Sequence, residues 1–188
     1  MGTTYKVLGQ QATAQSSLSV TNKALTNNVA TLTTSAAHNL VVGQSVSIIM
    51  TTPDAAFEGV RVVTSAPTST TFTFGSVNSN VTSVAATGTA TGFTWYTLYT
   101  CPSNTSAVLS SLVVTNRGTT GGYYQIAISD SASAVANKDI IVYNDLAAAS
   151  ETVGLSLGIT LDSTVKYLRV SASNANFTFN AFGMEITP

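Results

Sequence analysis

Apolar and polar residues alternate with a period of two along most of the chain, and the 3.6-residue period of an amphipathic helix is nearly absent. Val46, Ile48 and Met50 alternate with Ser45, Ser47 and Ile49, and Phe72 and Phe74 with Thr71 and Thr73. Successive strand side chains point to opposite faces, so these runs read as half-buried antiparallel strands. Between Val20 and Gly92 the pattern predicts strands over Val29–Thr33, Ser45–Met50, Gly59–Ser65, Thr70–Gly75 and Val84–Gly88. After Gly92 it predicts longer ones over Phe93–Thr100, Ala107–Asn116, Tyr123–Ser129, Lys138–Asn144, Glu151–Leu157, Lys166–Ala172 and Phe177–Ile186. Asn116-Arg117-Gly118, Gly121-Gly122 and Asn174-Ala175-Asn176 offer the positive φ that tight reversals use. Helices are readable only at Ser131–Asn137 and Leu146–Ala149, both too short to stand without tertiary support.

This spacing of short strands is that of a sandwich or barrel. At 188 residues the chain is long enough for one β domain or two small ones. The change of texture at Gly92 divides it. The expected fold is all-β: an antiparallel, jelly-roll-like β-sandwich from residues 1–19 and 93–188, with a second small β-barrel or Ig-like domain inserted over 20–92.

Composition narrows the function. Charged residues make up 8% of the chain, against roughly 25% in an average soluble domain, so hydroxyls and amides must form most of the surface. Such neutrality suits a protein packed into an assembly or exposed outside a cell. Seven Lys and Arg are spread from Lys6 to Arg169 with a net charge of −1. They form no basic stripe for phosphates, so neither nucleic acid nor an anionic membrane is an expected partner. Met1 to Gln10 shows no apolar signal region, and no run of about 18 apolar residues occurs, so no export or membrane signal is read.

The opening Gly2-Thr3-Thr4-Tyr5-Lys6-Val7-Leu8-Gly9-Gln10 resembles the start of a family of small tailed-bacteriophage virion structural proteins. Leu98-Tyr99-Thr100-Cys101-Pro102, Val113-Val114-Thr115-Asn116-Arg117-Gly118 and the close at Phe177 to Ile186 share that resemblance. In the family's pattern the opening leads after a short linker to the Leu-Tyr-Thr-x-Pro strand, so the intervening segment looks like an insertion. The insertion itself resembles a small β module of phage tail and neck proteins. Asn28 to Leu40 (with Ala36-Ala37-His38-Asn39), Val42-Gly43-Gln44-Ser45-Val46, Phe57-Glu58-Gly59 and Thr70-Thr71-Phe72-Thr73-Phe74 carry that likeness. The two resemblances imply a virion part, and their motifs are strand and turn residues.

Candidate chemistry is sparse. His38 is the only histidine, so no histidine pair can hold a metal, and a loop histidine between Ala37 and Asn39 reads as structural. The eight carboxylates, Asp54, Glu58, Asp130, Asp139, Asp145, Glu151, Asp162 and Glu185, are scattered, mostly at predicted turns. Cys101 excludes an intramolecular disulfide and lacks a cationic sequence neighbour to activate it, so it reads as core packing. Gly121-Gly122 and Thr87 to Gly92 lack the strand-loop-helix context of a phosphate loop. Three Asn-x-Ser/Thr triplets, at Asn80, Asn104 and Asn176, are expected by chance in this composition. The cluster Phe93 to Tyr99 reads as a strand with Trp95 on one face, or as a contact platform.

The chain is therefore expected to be a non-enzymatic virion exterior protein, a capsid decoration or cement component, with no catalytic residue, metal or cofactor. Its partners would be other virion proteins and further copies of itself, a trimer by analogy with β-rich decoration and fibre proteins. It would be made in the host cytoplasm without a signal peptide. The alternative is a neck or tail appendage or adhesin binding a host surface receptor or glycan through the insertion and Trp95, Tyr123 and Tyr124. A surface depolymerase is the weakest rival, since scattered carboxylates would have to converge by folding.

Overall fold

The computed structural model describes residues 2–187. It is all-β, with fourteen strands among the described residues, and every strand pairing is antiparallel. The chain divides into two compact units, Met1–Ala14 with Thr94–Pro188, and Gln15–Phe93. The first boundary falls after Ala14 rather than after Ser19, because Ser17 Oγ bonds Thr91 Oγ1 at 2.7 Å and β2 begins at Leu18.

The discontinuous unit holds β1 (Gly2–Ala12), β8 (Tyr96–Thr100), β9 (Ser106–Asn116), β10 (Gly122–Ser129), β11 (Ile140–Ala147), β12 (Thr152–Leu161), β13 (Tyr167–Ala172) and β14 (Phe177–Thr187). They form two four-stranded sheets, β1-β14-β9-β12 and β11-β10-β13-β8. Counted within the unit, the orders are 1-8-3-6 and 5-4-7-2, the two interleaved sheets of an eight-stranded jelly roll. Inward positions at alternate residues supply Leu109, Leu112, Val114, Tyr124, Ile126, Leu168, Val170, Phe177 and Phe179, all fully buried. Tyr124 lies 6.3 Å from the Phe177 ring and 6.4 Å from Phe179. Each large side chain of this set contributes about 1.5–3 kcal/mol by leaving water.

A line of irregularities crosses the first sheet. Register slips between Val7 and Gly9 in β1, between Phe182 and Gly183 against β9, and between Ser156 and Ile159 in β12. Bulges of this kind bend a sheet and increase its twist. Gly183 marks the line, where a Cβ would overlap Val108 O, and Gly9 would likewise meet Leu98 O.

The continuous unit is one six-stranded sheet in the order β5-β4-β7-β2-β3-β6, made of β2 (Leu18–Thr26), β3 (Val29–Thr34), β4 (Ser45–Met50), β5 (Gly59–Val62), β6 (Thr71–Gly75) and β7 (Val81–Gly92). Thr64 N donates to Thr73 O and Thr73 N to Ser65 O, at 2.8 and 2.9 Å, so the chain after β5 meets β6 and nearly closes a barrel. Its interior holds Leu25, Leu32, Val46, Ile48, Phe57, Phe72 and Phe74.

Several local expectations are corrected. Residues 131–136 form no helix; their carbonyls turn inward to Arg169, and only a 3-10 turn follows at Asn137–Asp139. Leu146 and Ala147 end β11 rather than starting a helix. Trp95 precedes β8 instead of lying in a strand. Among the described residues positive φ falls at Asn27, Asn28, Asn39, Asn104, Asn144 and Ser150 and at Gly43, Gly59 and Gly158, not at Gly118, Gly121, Gly122 or Asn174 to Asn176.

Candidate functional site

The residues with chemical potential turn out to serve the backbone. Leu40 N donates to His38 Nδ1 at 2.9 Å, which leaves the proton on Nε2 to be donated to Thr71 O at 3.1 Å. The ring also meets Phe72 edge-on at 5.6 Å. Both nitrogens are engaged, so the imidazole ties a loop to β6. Gln44 closes the same loop, accepting from Val41 N and donating to Phe93 O, each at 3.0 Å.

Glu58 accepts from Met50 N at 3.1 Å and from Asp54 N at 3.0 Å, bracing the loop between β4 and β5. Asp54 accepts from Ala56 N at 3.1 Å and pairs with Lys23 at 2.7 Å. The Lys23 hydrogen bond holds the Asp54 carboxyl below the usual carboxylate range. Lys23 also lies 5.2 Å from the Phe57 ring centroid. A cleft of about 580 Å³ opens beside the bulge at Thr21, lined by Ser19, Lys23, Met50, Thr52 and Thr87 among others. Its one charged lining group is already paired with Asp54.

In the jelly roll, Cys101 is 2% exposed and its thiol donates to Thr105 O at 3.3 Å and Leu161 O at 3.6 Å. Burial pushes its pKa up, opposite to the shift a nucleophile needs. Tyr99 Oη donates to Glu185 Oε1 at 2.8 Å, while Lys6 pairs with Oε2 at 2.6 Å. The Lys6 contact depresses Glu185, and burial raises Tyr99 far above an ordinary phenol. Arg169 is 4% exposed and donates to three carbonyls, Ser131, Ala132 and Trp95, at 3.2, 2.6 and 3.3 Å. Burial lowers its pKa, though a guanidinium stays charged. It fastens the 130–139 segment over β13. Among the described residues no group of three or more His, Cys, Asp or Glu side chains is placed to hold a metal ion.

The aromatic contact residues expected from sequence separate. Tyr124 is fully buried, so it is withdrawn as a surface contact; its ring packs with Phe177 and Phe179 and its hydroxyl bonds Asp145. Trp95 is half-buried, and its carbonyl serves Arg169. Tyr123 does face solvent. It stands opposite Leu146 in the β10–β11 register, and these two residues are 36% and 55% exposed. Ile141 and Tyr143 point from β11 to the same side and are also exposed. Tyr123, Leu146, Tyr143 and Ile141 form an apolar patch at the free edge of the second sheet. Sequence reading missed three of the four, although the Ile141-x-Tyr143 alternation carries the signal.

No family model and no curated protein sequence matches the chain.

Proposed function

We propose that this chain is a structural component on the exterior of a bacteriophage particle, a capsid decoration or cement protein that acts by assembly and display rather than catalysis. The observation that carries the reading is the use made of its polar residues. His38, Gln44, Glu58 and Asn116 are spent on loop carbonyls and amides, leaving neutral sheet faces and the Tyr123 patch as the surfaces a partner would meet. Jelly rolls serve in viral capsids and in lectins alike, so the fold raises both readings without choosing between them. The motifs that resemble the virion family fall in β1, β8, β9 and β14, which are framework strands.

Self-association and contact with the major capsid or neck and tail proteins follow from this reading. A neck or tail adhesin that meets a host receptor or glycan through Tyr123 and the Gln15–Phe93 unit is the second reading, favoured by the exposed aromatic pair Tyr123 and Tyr143. Quantitative mass spectrometry of purified particles tests them. A copy number close to that of the major capsid protein supports decoration, a few copies per particle support an appendage, and absence of the chain from particles overturns both.

A further inference from the structure

We propose that the outward face of the β1-β14-β9-β12 sheet is a self-association surface whose occupant is a second copy of this chain. The observation begins in the strand sequences. Half-covered strands alternate, whereas strands covered on both sides run apolar throughout. Ala107-Val108-Leu109 and Leu112-Val113-Val114 in β9 are of the second kind, and β14 carries apolar residues on both of its faces, Phe177, Phe179 and Ala181 inward and Phe182, Met184 and Ile186 outward. Leu109, Leu112, Val114 and Phe179 fill the core, which leaves the intervening residues facing away from it.

Register collects those residues. Tyr5 stands opposite Met184, which stands opposite Val108, and Val7 stands opposite Phe182 in the next row. Tyr5 is 66% exposed and Val7 49%, with the others half-buried among their neighbours. The remaining outward positions are hydroxyls, amides, alanine, glycine and single aliphatic residues. Lys6 and Glu185, the charged residues of β1 and β14, pair with each other on the opposite side. The face therefore carries no Asp, Glu, Lys or Arg among the described residues. The outward side of the other sheet is different, since Gln125, Ser129, Arg169 and Ser171 on it are nearly or fully buried. That face exposes apolar residues only at its β10–β11 edge, in the Tyr123 patch, whereas on the first face no outward position of the four strands is buried.

Size and charge decide the occupant. Strands of 11, 11, 11 and 10 residues extend about 35 Å, and four of them span about 19 Å, which gives on the order of 650 Å². A standard stable interface takes about 800 Å² from each partner, so this one face supplies most of a partner's share. A charged partner would bury its charges here without counter-charges, at a cost that a neutral partner avoids. A second copy of this chain offers a matching neutral face.

The proposal rests on the assembly reading only for its biological sense, since purified chain tests it without any particle. Sedimentation velocity of the full chain should show a species larger than the 19.3 kDa monomer. Val7→Lys and Met184→Lys, which place a charge on the face, should weaken association roughly tenfold or more. Val7 lies on an exposed edge strand, so its variant should keep the wild-type melting transition even if Met184→Lys does not. Val42→Lys, at a 66% exposed valine of the other unit, should leave association unchanged. A wild-type chain that stays monomeric at high concentration, a Val7→Lys chain that associates as tightly as wild type, or dissociation by Val42→Lys alone would overturn it.

Discussion

Tyr124 Oη donates to Asp145 Oδ2 at 2.6 Å, joining a fully buried ring to an exposed edge carboxylate. The contact depends on the bulge in β11, where Asn144 takes φ 48° and brings Asp145 into register with Tyr124. Asn144 Oδ1 also accepts from Gln125 Nε2 at 2.7 Å. Tyr124→Phe should keep the packing and cost about 1–2 kcal/mol in urea denaturation, because Asp145 regains water. Tyr124→Ala should cost about 3–5 kcal/mol. Tyr123→Ala, one residue away, should change stability by about 0.5 kcal/mol or less while weakening any partner that uses the patch.

His38→Ala should cost about 1–3 kcal/mol, since it strands the Leu40 amide and the Thr71 carbonyl. Equilibrium unfolding by urea reads the loss. Added zinc should leave the wild-type midpoint where it was, because both ring nitrogens are already occupied.

Cys101 should resist thiol reagents in the folded chain and react fully in denaturant. Burial, two carbonyl acceptors and a raised pKa act in the same direction. Labelling followed by intact mass measurement checks this, and rapid labelling of native protein would show that the 101–105 segment opens.

Glu185 gives stability an acid limb. Its folded pKa lies below the ordinary 4.5, with the Lys6 hydrogen bond as the largest cause. Its contribution is therefore complete above that ordinary value and is lost as pH falls through the depressed one. Glu185→Gln should cost about 1 kcal/mol at neutral pH, since Lys6 remains partly exposed, and should flatten this limb. Denaturation midpoints of the two proteins from neutral pH to pH 3 should converge as the carboxylate is protonated.

Strand positions were legible where alternation is unbroken, as in Ser45–Met50 and Thr71–Gly75. β2 escaped the pattern because register slips between Val20 and Asn22, which interrupts the two-residue period and brings Asn22 and Lys23 into its middle. β7 extends well beyond Val84–Gly88 because its Thr, Ser and Ala residues pair with β2 and β4 without an apolar signature. The helix expected at Ser131–Asn137 lost to a long-range contact: a buried guanidinium collects carbonyls that a helix would have used internally. The same distinction governs the site. Tyr123 and Tyr124 are adjacent and chemically alike in sequence, and only the face each takes in β10 separates a surface contact from a core ring.

Immunogold electron microscopy of intact particles, using antibody raised against the whole chain, asks where on a particle the chain sits. A decoration protein should give label spread over the particle head. Particles that carry no label anywhere, while the chain remains detectable in the infected lysate, would contradict the proposed function.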